Sequence, residues 1–68
     1  MKEYSTSDIE HLINEYVHKK RDRLILSLRW IDGETYQNIA EHPDVQMSVR
    51  GVQYLVERYR KKLLKYFI

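Results

Sequence analysis

The stretch Arg29-Trp30-Ile31-Asp32-Gly33-Glu34-Thr35-Tyr36-Gln37-Asn38-Ile39-Ala40-Glu41 decides the fold, together with Ser48-Val49-Arg50-Gly51-Val52-Gln53 beyond a turn at Pro43-Asp44. It reads as the end of one helix, a glycine turn, a short helix, a second turn and a capped helix. Gly33 suits the left-handed position that closes a helix. Thr35 is placed to cap the short helix, and Pro43 forbids its continuation past His42. Ser48 caps the helix that follows. Two helices meeting at a steep angle need a small residue at the crossing, here Ala40. The second helix needs buried branched anchors, here Val52 and Val56. Its opposite face is then free to enter a major groove.

Upstream, Ser5 or Ser7 opens a first helix, with Ser7-Asp8-Ile9-Glu10 fitting a capping box. Ile9, Leu12, Ile13, Tyr16 and Val17 recur at helical spacing and give it one apolar stripe. The polar cluster from His18 to Arg23 breaks that stripe. A second helix is expected from near Asp22, although no Gly or Pro rules out one bent helix over 8–32. Leu24, Ile25, Leu26, Leu28, Trp30 and Ile31 surround much of its circumference, so it is expected to be the central, most buried helix. Trp30 is expected to pack on the fourth. Downstream, Val52, Val56, Tyr59, Leu63 and Phe67 make a long stripe, predicting a helix from Val49 to Phe67 of about 28 Å. The expected architecture is all-α. It is a small three- or four-helix bundle, one domain over 1–68, containing a helix-turn-helix unit over about 35–67 with a long C-terminal recognition helix.

At the quoted residues the chain resembles the promoter-reading helix-turn-helix (region 4) of bacterial sigma factors, and the small phage and mobile-element regulators that look similar. The resemblance covers roughly residues 28–62. From Ala40 to Val52 the chain runs two residues longer than is usual in that family, the excess lying around Pro43-Asp44. The 68 residues do not cover the other sigma domains, so a complete sigma factor is not expected. The resemblance implies sequence-specific binding of double-stranded DNA through the helix that starts after Ser48. With Val52, Val56 and Tyr59 inward, that helix turns Arg50, Gly51, Gln53, Tyr54, Glu57, Arg58 and Lys61 outward. Arg50 is suited to guanine, Gln53 to adenine, and Tyr54 to a thymine methyl or a phosphate. Arg58, Lys61 and Lys62 lie further along and would meet phosphates. Thr35 and Gln37, opening the short helix, fit backbone contacts, and Ser48, at the start of the recognition helix, belongs to the same DNA-binding set. Gly51 either permits close approach to DNA or sits in a tolerant first turn. The competing reading of each residue is a solvated polar face.

Charge supports the same end of the chain. The net charge of +2 hides an asymmetry: residues 49–68 carry six basic groups against Glu57 alone. That suits a polyanion partner. The competing explanation is that Lys and Arg offset the dipole at helix C-termini.

Other chemistry is thin. With 68 residues and no cysteine, neither disulfides nor a Cys-based zinc site can staple the domain. His11 and His18, seven apart on one helix, cannot share an ion, and His42 has no ligand cluster. Ser5, Ser7 and Ser48 read as caps rather than nucleophiles. No Gly-rich phosphate loop or cofactor motif appears, so no cofactor and no enzyme activity are expected. The segment MKEYSTSDIE lacks a signal-peptide layout, and no apolar run reaches the roughly 18 residues of a membrane span. A soluble cytoplasmic protein is expected. Tyr66-Phe67-Ile68 is an apolar tail that either folds back on the first helix or meets another chain, a second copy included; the thin core favours the latter. The alternative function is a protein-interaction module that binds RNA polymerase or another protein.

Overall fold

The computed structural model describes residues 5–63, and among these every regular element is helical. Four helices follow in order: α1 (Thr6–Tyr16), α2 (Lys20–Trp30), α3 (Tyr36–Glu41) and α4 (Val49–Leu63). The all-α bundle expected from the sequence is the fold. The expected continuation of α4 to Phe67, and the tail Tyr66-Phe67-Ile68, lie outside the described residues.

Each helix begins where backbone chemistry lets it. The first four amides of a helix lack partners, so a side-chain acceptor just before them stabilises the start. For α1 that acceptor is Ser5, not Ser7. Ser5 Oγ accepts from the Asp8 amide at 3.2 Å while Asp8 Oδ2 accepts from the Ser5 amide. The capping box is therefore Ser5 with Asp8, two residues earlier than Ser7 with Glu10, and Ser7 is inside the helix. Thr35 and Ser48 cap α3 and α4 as their positions predict, accepting from the amides of Asn38 and Gly51 at 3.1 and 3.0 Å.

α1 and α2 are separate helices, not one bent rod. Val17 leaves the helical region with φ −115° and ψ 118°. Arg23 then reaches back across the break, donating from Nε to the Val17 carbonyl and from Nη2 to the Asn14 carbonyl. The last turn of α1 holds no basic residue of its own. Arg23 supplies that charge from the next helix and occupies carbonyls that α1 leaves open. His18 consequently sits in the connector and not on α1.

The other connections are equally specific. After α2, Gly33 takes a φ of 70°, which only glycine adopts cheaply. The chain can then turn the Glu34 amide back onto the Leu28 carbonyl at 2.9 Å. α3 stops at Glu41, and His42 is already extended ahead of Pro43. The amides of Val45 and Gln46 both return to the His42 carbonyl. Gln46 has a φ of 46°, the one non-glycine residue described with a positive value.

The core collects Ile13 and Val17 from the α1 region, Ile25 and Leu26 from α2, and Ile39 and Ala40 from α3. From α4 it takes Val52, Leu55, Val56, Tyr59 and Leu63. Each large aliphatic side chain fully removed from water contributes about 1.5–3 kcal/mol. α2 is central, packing substantially on each of the other three helices. It is not buried all round, however. Leu24, Leu28, Trp30 and Ile31 are half-buried at the edge of the core. Only Ile25, Leu26 and Asp22 on α2 are buried. No helix among the described residues is long and apolar enough to cross a membrane.

Candidate nucleic-acid interface

α4 is amphipathic by construction. Its buried residues recur at three- and four-residue spacing, which fixes the helix to the body along one stripe. Arg50, Gln53, Tyr54 and Glu57 recur at the same spacing on the opposite face and are all exposed. Arg58, Lys61 and Lys62 are exposed further along. The outward disposition read from the sequence holds for every residue except Gly51. That glycine is half-buried, and a Cβ there would lie 3.1 Å from Ser48 Oγ and 3.3 Å from Met47 Cε. Its missing side chain makes room for the cap and for Met47, and does not open the outer face.

Tyr54 is 69% exposed and stands as a crest on this face. On one side a shallow depression runs between α4 and α3, lined by Tyr36, Arg50, Gln53, Tyr54 and Glu57. Its α3 wall is stiffened from behind: the Arg29 guanidinium stacks 4.2 Å from the Tyr36 ring centre and donates to the Glu34 carbonyl at 3.0 Å. On the other side Tyr54 walls a second depression with Lys19, Arg21, Met47 and Arg58. Towards the helix end it joins Glu57, Arg58 and Lys61 around a third.

Arg50, Gln53 and Tyr54 are therefore brought together, as are Tyr54, Arg58 and Lys61. Lys62 is exposed but lines none of these depressions. Thr35 and Gln37 are exposed at the start of α3 on either side of Tyr36 without lining the depression themselves. Ser48 is committed to capping through its Oγ. The face thus offers one guanidinium fork, one amide with both donor and acceptor, one phenol and several ammonium or guanidinium charges. These are groups that hydrogen-bond base edges and phosphates. Glu57 is held by Arg60, with Nη2 to Oε2 at 3.1 Å and Nε to Oε2 at 3.2 Å, which draws its charge to one edge.

Beneath the face lies a polar pair that sequence patterning does not reveal. Asp22 is 3% exposed, and its Oδ2 accepts from the Tyr59 hydroxyl at 2.7 Å. Its Oδ1 has no hydrogen bond and faces Arg21 Nη2 at 3.6 Å. Burial raises the Tyr59 pKa above its ordinary value, and the hydrogen bond and charge of Asp22 push it the same way; the nearby Arg58 opposes them. His11 and His18 are exposed, and His42 Nδ1 accepts the Asp44 amide at 3.1 Å. No group of three His, Asp or Glu able to hold a metal occurs among the described residues.

No protein-family model matches the chain, and no curated protein or solved structure is detectably similar to it.

Proposed function

We propose that this chain is a sequence-specific double-stranded DNA-binding protein. It would act as a small transcriptional regulator or mobile-element accessory factor, built around a helix-turn-helix like that of the sigma promoter-reading domain. α4 is the recognition helix. One observation carries the reading: Arg50, Gln53 and Tyr54 project together from the exposed face of a helix whose other face is anchored by Val52, Leu55, Val56, Tyr59 and Leu63. At 15 residues α4 spans about 22 Å, ample to cross a major groove about 12 Å wide. Its first half carries the base-reading groups. Arg58, Lys61 and Lys62 follow and meet phosphates, and Thr35 and Gln37 touch the backbone from α3. The test is selection of bound sites from a random duplex pool at physiological salt. A defined consensus supports the reading; recovery of no preferred sequence refutes it.

A second reading, a protein-interaction module that binds RNA polymerase or another protein, draws on the exposure of Tyr54 and Val49. These are the two large hydrophobic residues most open to solvent among those described. Salt separates the two. Phosphate contacts make affinity fall steeply between about 50 and 200 mM salt. An aromatic protein interface is far less sensitive.

A further inference from the structure

We propose that Lys19, Lys20 and Arg21, at the start of α2, join Arg58 of α4 in a second phosphate-holding surface. Duplex DNA is then gripped on both flanks of the recognition helix. The proposal rests on the DNA-binding reading and names the part of the duplex that this flank meets.

The argument starts from the groove. A helix lying in the major groove has a phosphate backbone along each side, so a stable seat needs donors or cations on both flanks. The flank towards α3 has Thr35 and Gln37. The opposite flank holds residues that sequence patterning assigned only to a helix break. Lys19 and Arg21 share a depression with Tyr54 and Arg58, and Lys20 and Arg21 line the neighbouring one with Leu24 and Asp44. Lys62 follows Arg58 by four residues, so helical register puts it on the same flank.

Arg21 faces the buried Asp22 at 3.6 Å, but the lysine charge on this flank is not consumed by the fold. All four cations are exposed, and neither Lys19 nor Lys20 forms an ion pair among the described residues. The carboxylates beside them are Asp22, which is buried between Tyr59 and Arg21, Asp44, and Glu57, which is held by Arg60. Folding also holds the two groups at a fixed separation. Lys19 to Arg21 immediately precede Asp22, Arg58 immediately precedes Tyr59, and Asp22 and Tyr59 are hydrogen-bonded at 2.7 Å. Like charges carried on two helix segments held at a fixed separation are complementary to a polyanion.

The test compares the parent chain with Lys19→Gln/Lys20→Gln and with Lys19→Arg/Lys20→Arg, titrating a selected duplex by fluorescence anisotropy at several salt concentrations. Each phosphate contact contributes about 0.9 to the slope of log affinity against log salt. The Gln variant should lower that slope by about one to two and weaken selected and scrambled duplexes by a similar factor. The Arg variant should keep the parental slope. A parental slope in the Gln variant overturns the second surface while leaving the recognition helix in place. A parent chain that shows no salt-dependent duplex binding overturns both.

Discussion

The Tyr59 hydroxyl and the Asp22 carboxylate meet at 2.7 Å, buried, across 37 residues of sequence. The contact ties the first turn of α2 to the third turn of α4. It makes α4 and the basic start of α2 one mechanical piece. A carboxylate taken out of water demands such a partner, because an unsatisfied buried polar group costs more than a made hydrogen bond returns.

We therefore predict that Tyr59→Phe destabilises the fold by about 1–3 kcal/mol. Arg21 at 3.6 Å would then be the remaining partner of Asp22. Urea unfolding should show a lower midpoint at unchanged m-value. Adding Asp22→Leu to Tyr59→Phe should cost less than the sum of the single changes, since the pair acts as a unit. Strict additivity would show that the two residues do not depend on each other.

Alkaline pH should expose the same pair. The folded state raises the Tyr59 pKa above its ordinary value of 10.0, through burial first and Asp22 second. The proton is held more tightly folded than unfolded. The contribution is therefore complete below pH 10 and is lost as pH rises from there through the folded value. Unfolding midpoints of the parent should fall more steeply than those of Tyr59→Phe across that window. Parallel curves would show that Tyr59 does not titrate differently in the two states.

Arg23 should behave as the lock on the α1–α2 break. Replacing it with Ala removes donors from two carbonyls of the α1 C-terminal region, a loss of about 1.5–3 kcal/mol for hydrogen bonds from a charged group. Lys at this position should recover only part, because its ammonium lacks the planar fork. Amide exchange in α1 is the sensitive readout: protection should drop there first and leave α4 unchanged.

On DNA, Arg50→Ala and Gln53→Ala should each cost about 1–3 kcal/mol on the best site and relax preference at one base position. Lys61→Gln and Lys62→Gln should weaken all duplexes alike, lowering the salt slope by about one each. Equal behaviour of the two classes would remove the distinction between reading and holding.

What the sequence made legible was local. Thr35 and Ser48 could be recognised as caps because their spacing to the following turn is enough to define them. Val52, Val56, Ile39 and Ala40 followed from periodicity, and the outward set Arg50, Gln53 and Tyr54 followed in turn from these anchors. What escaped depends on partners far along the chain. Nothing near Asp22 signals that it is buried, since the hydroxyl that makes burial tolerable belongs to Tyr59. Arg23 looked only like part of a polar cluster that breaks the stripe, because the carbonyls it serves are backbone atoms without a sequence signature. Lys19 and Arg21 came to flank α4 only once α2 had packed. Ser5 and Ser7 both satisfied the local rule for a cap, and their competition was settled by where the helix starts. For Gly51 the sequence left open close approach to DNA or a tolerant first turn; the contacts that Met47 and Ser48 would make with a Cβ there could not be read from it.

The turn between α3 and α4 has a consequence for engineering. Its length is occupied: Val45 is 4% exposed, plugged into the core from the middle of the loop. A version shortened by two residues would have to unseat that plug or drag Ser48 away from the helix it starts. Loop length in this molecule is therefore a packing dimension, as firmly set as the diameter of a core side chain, and grafting the α3–α4 unit onto another scaffold requires carrying Val45 and its socket along with it.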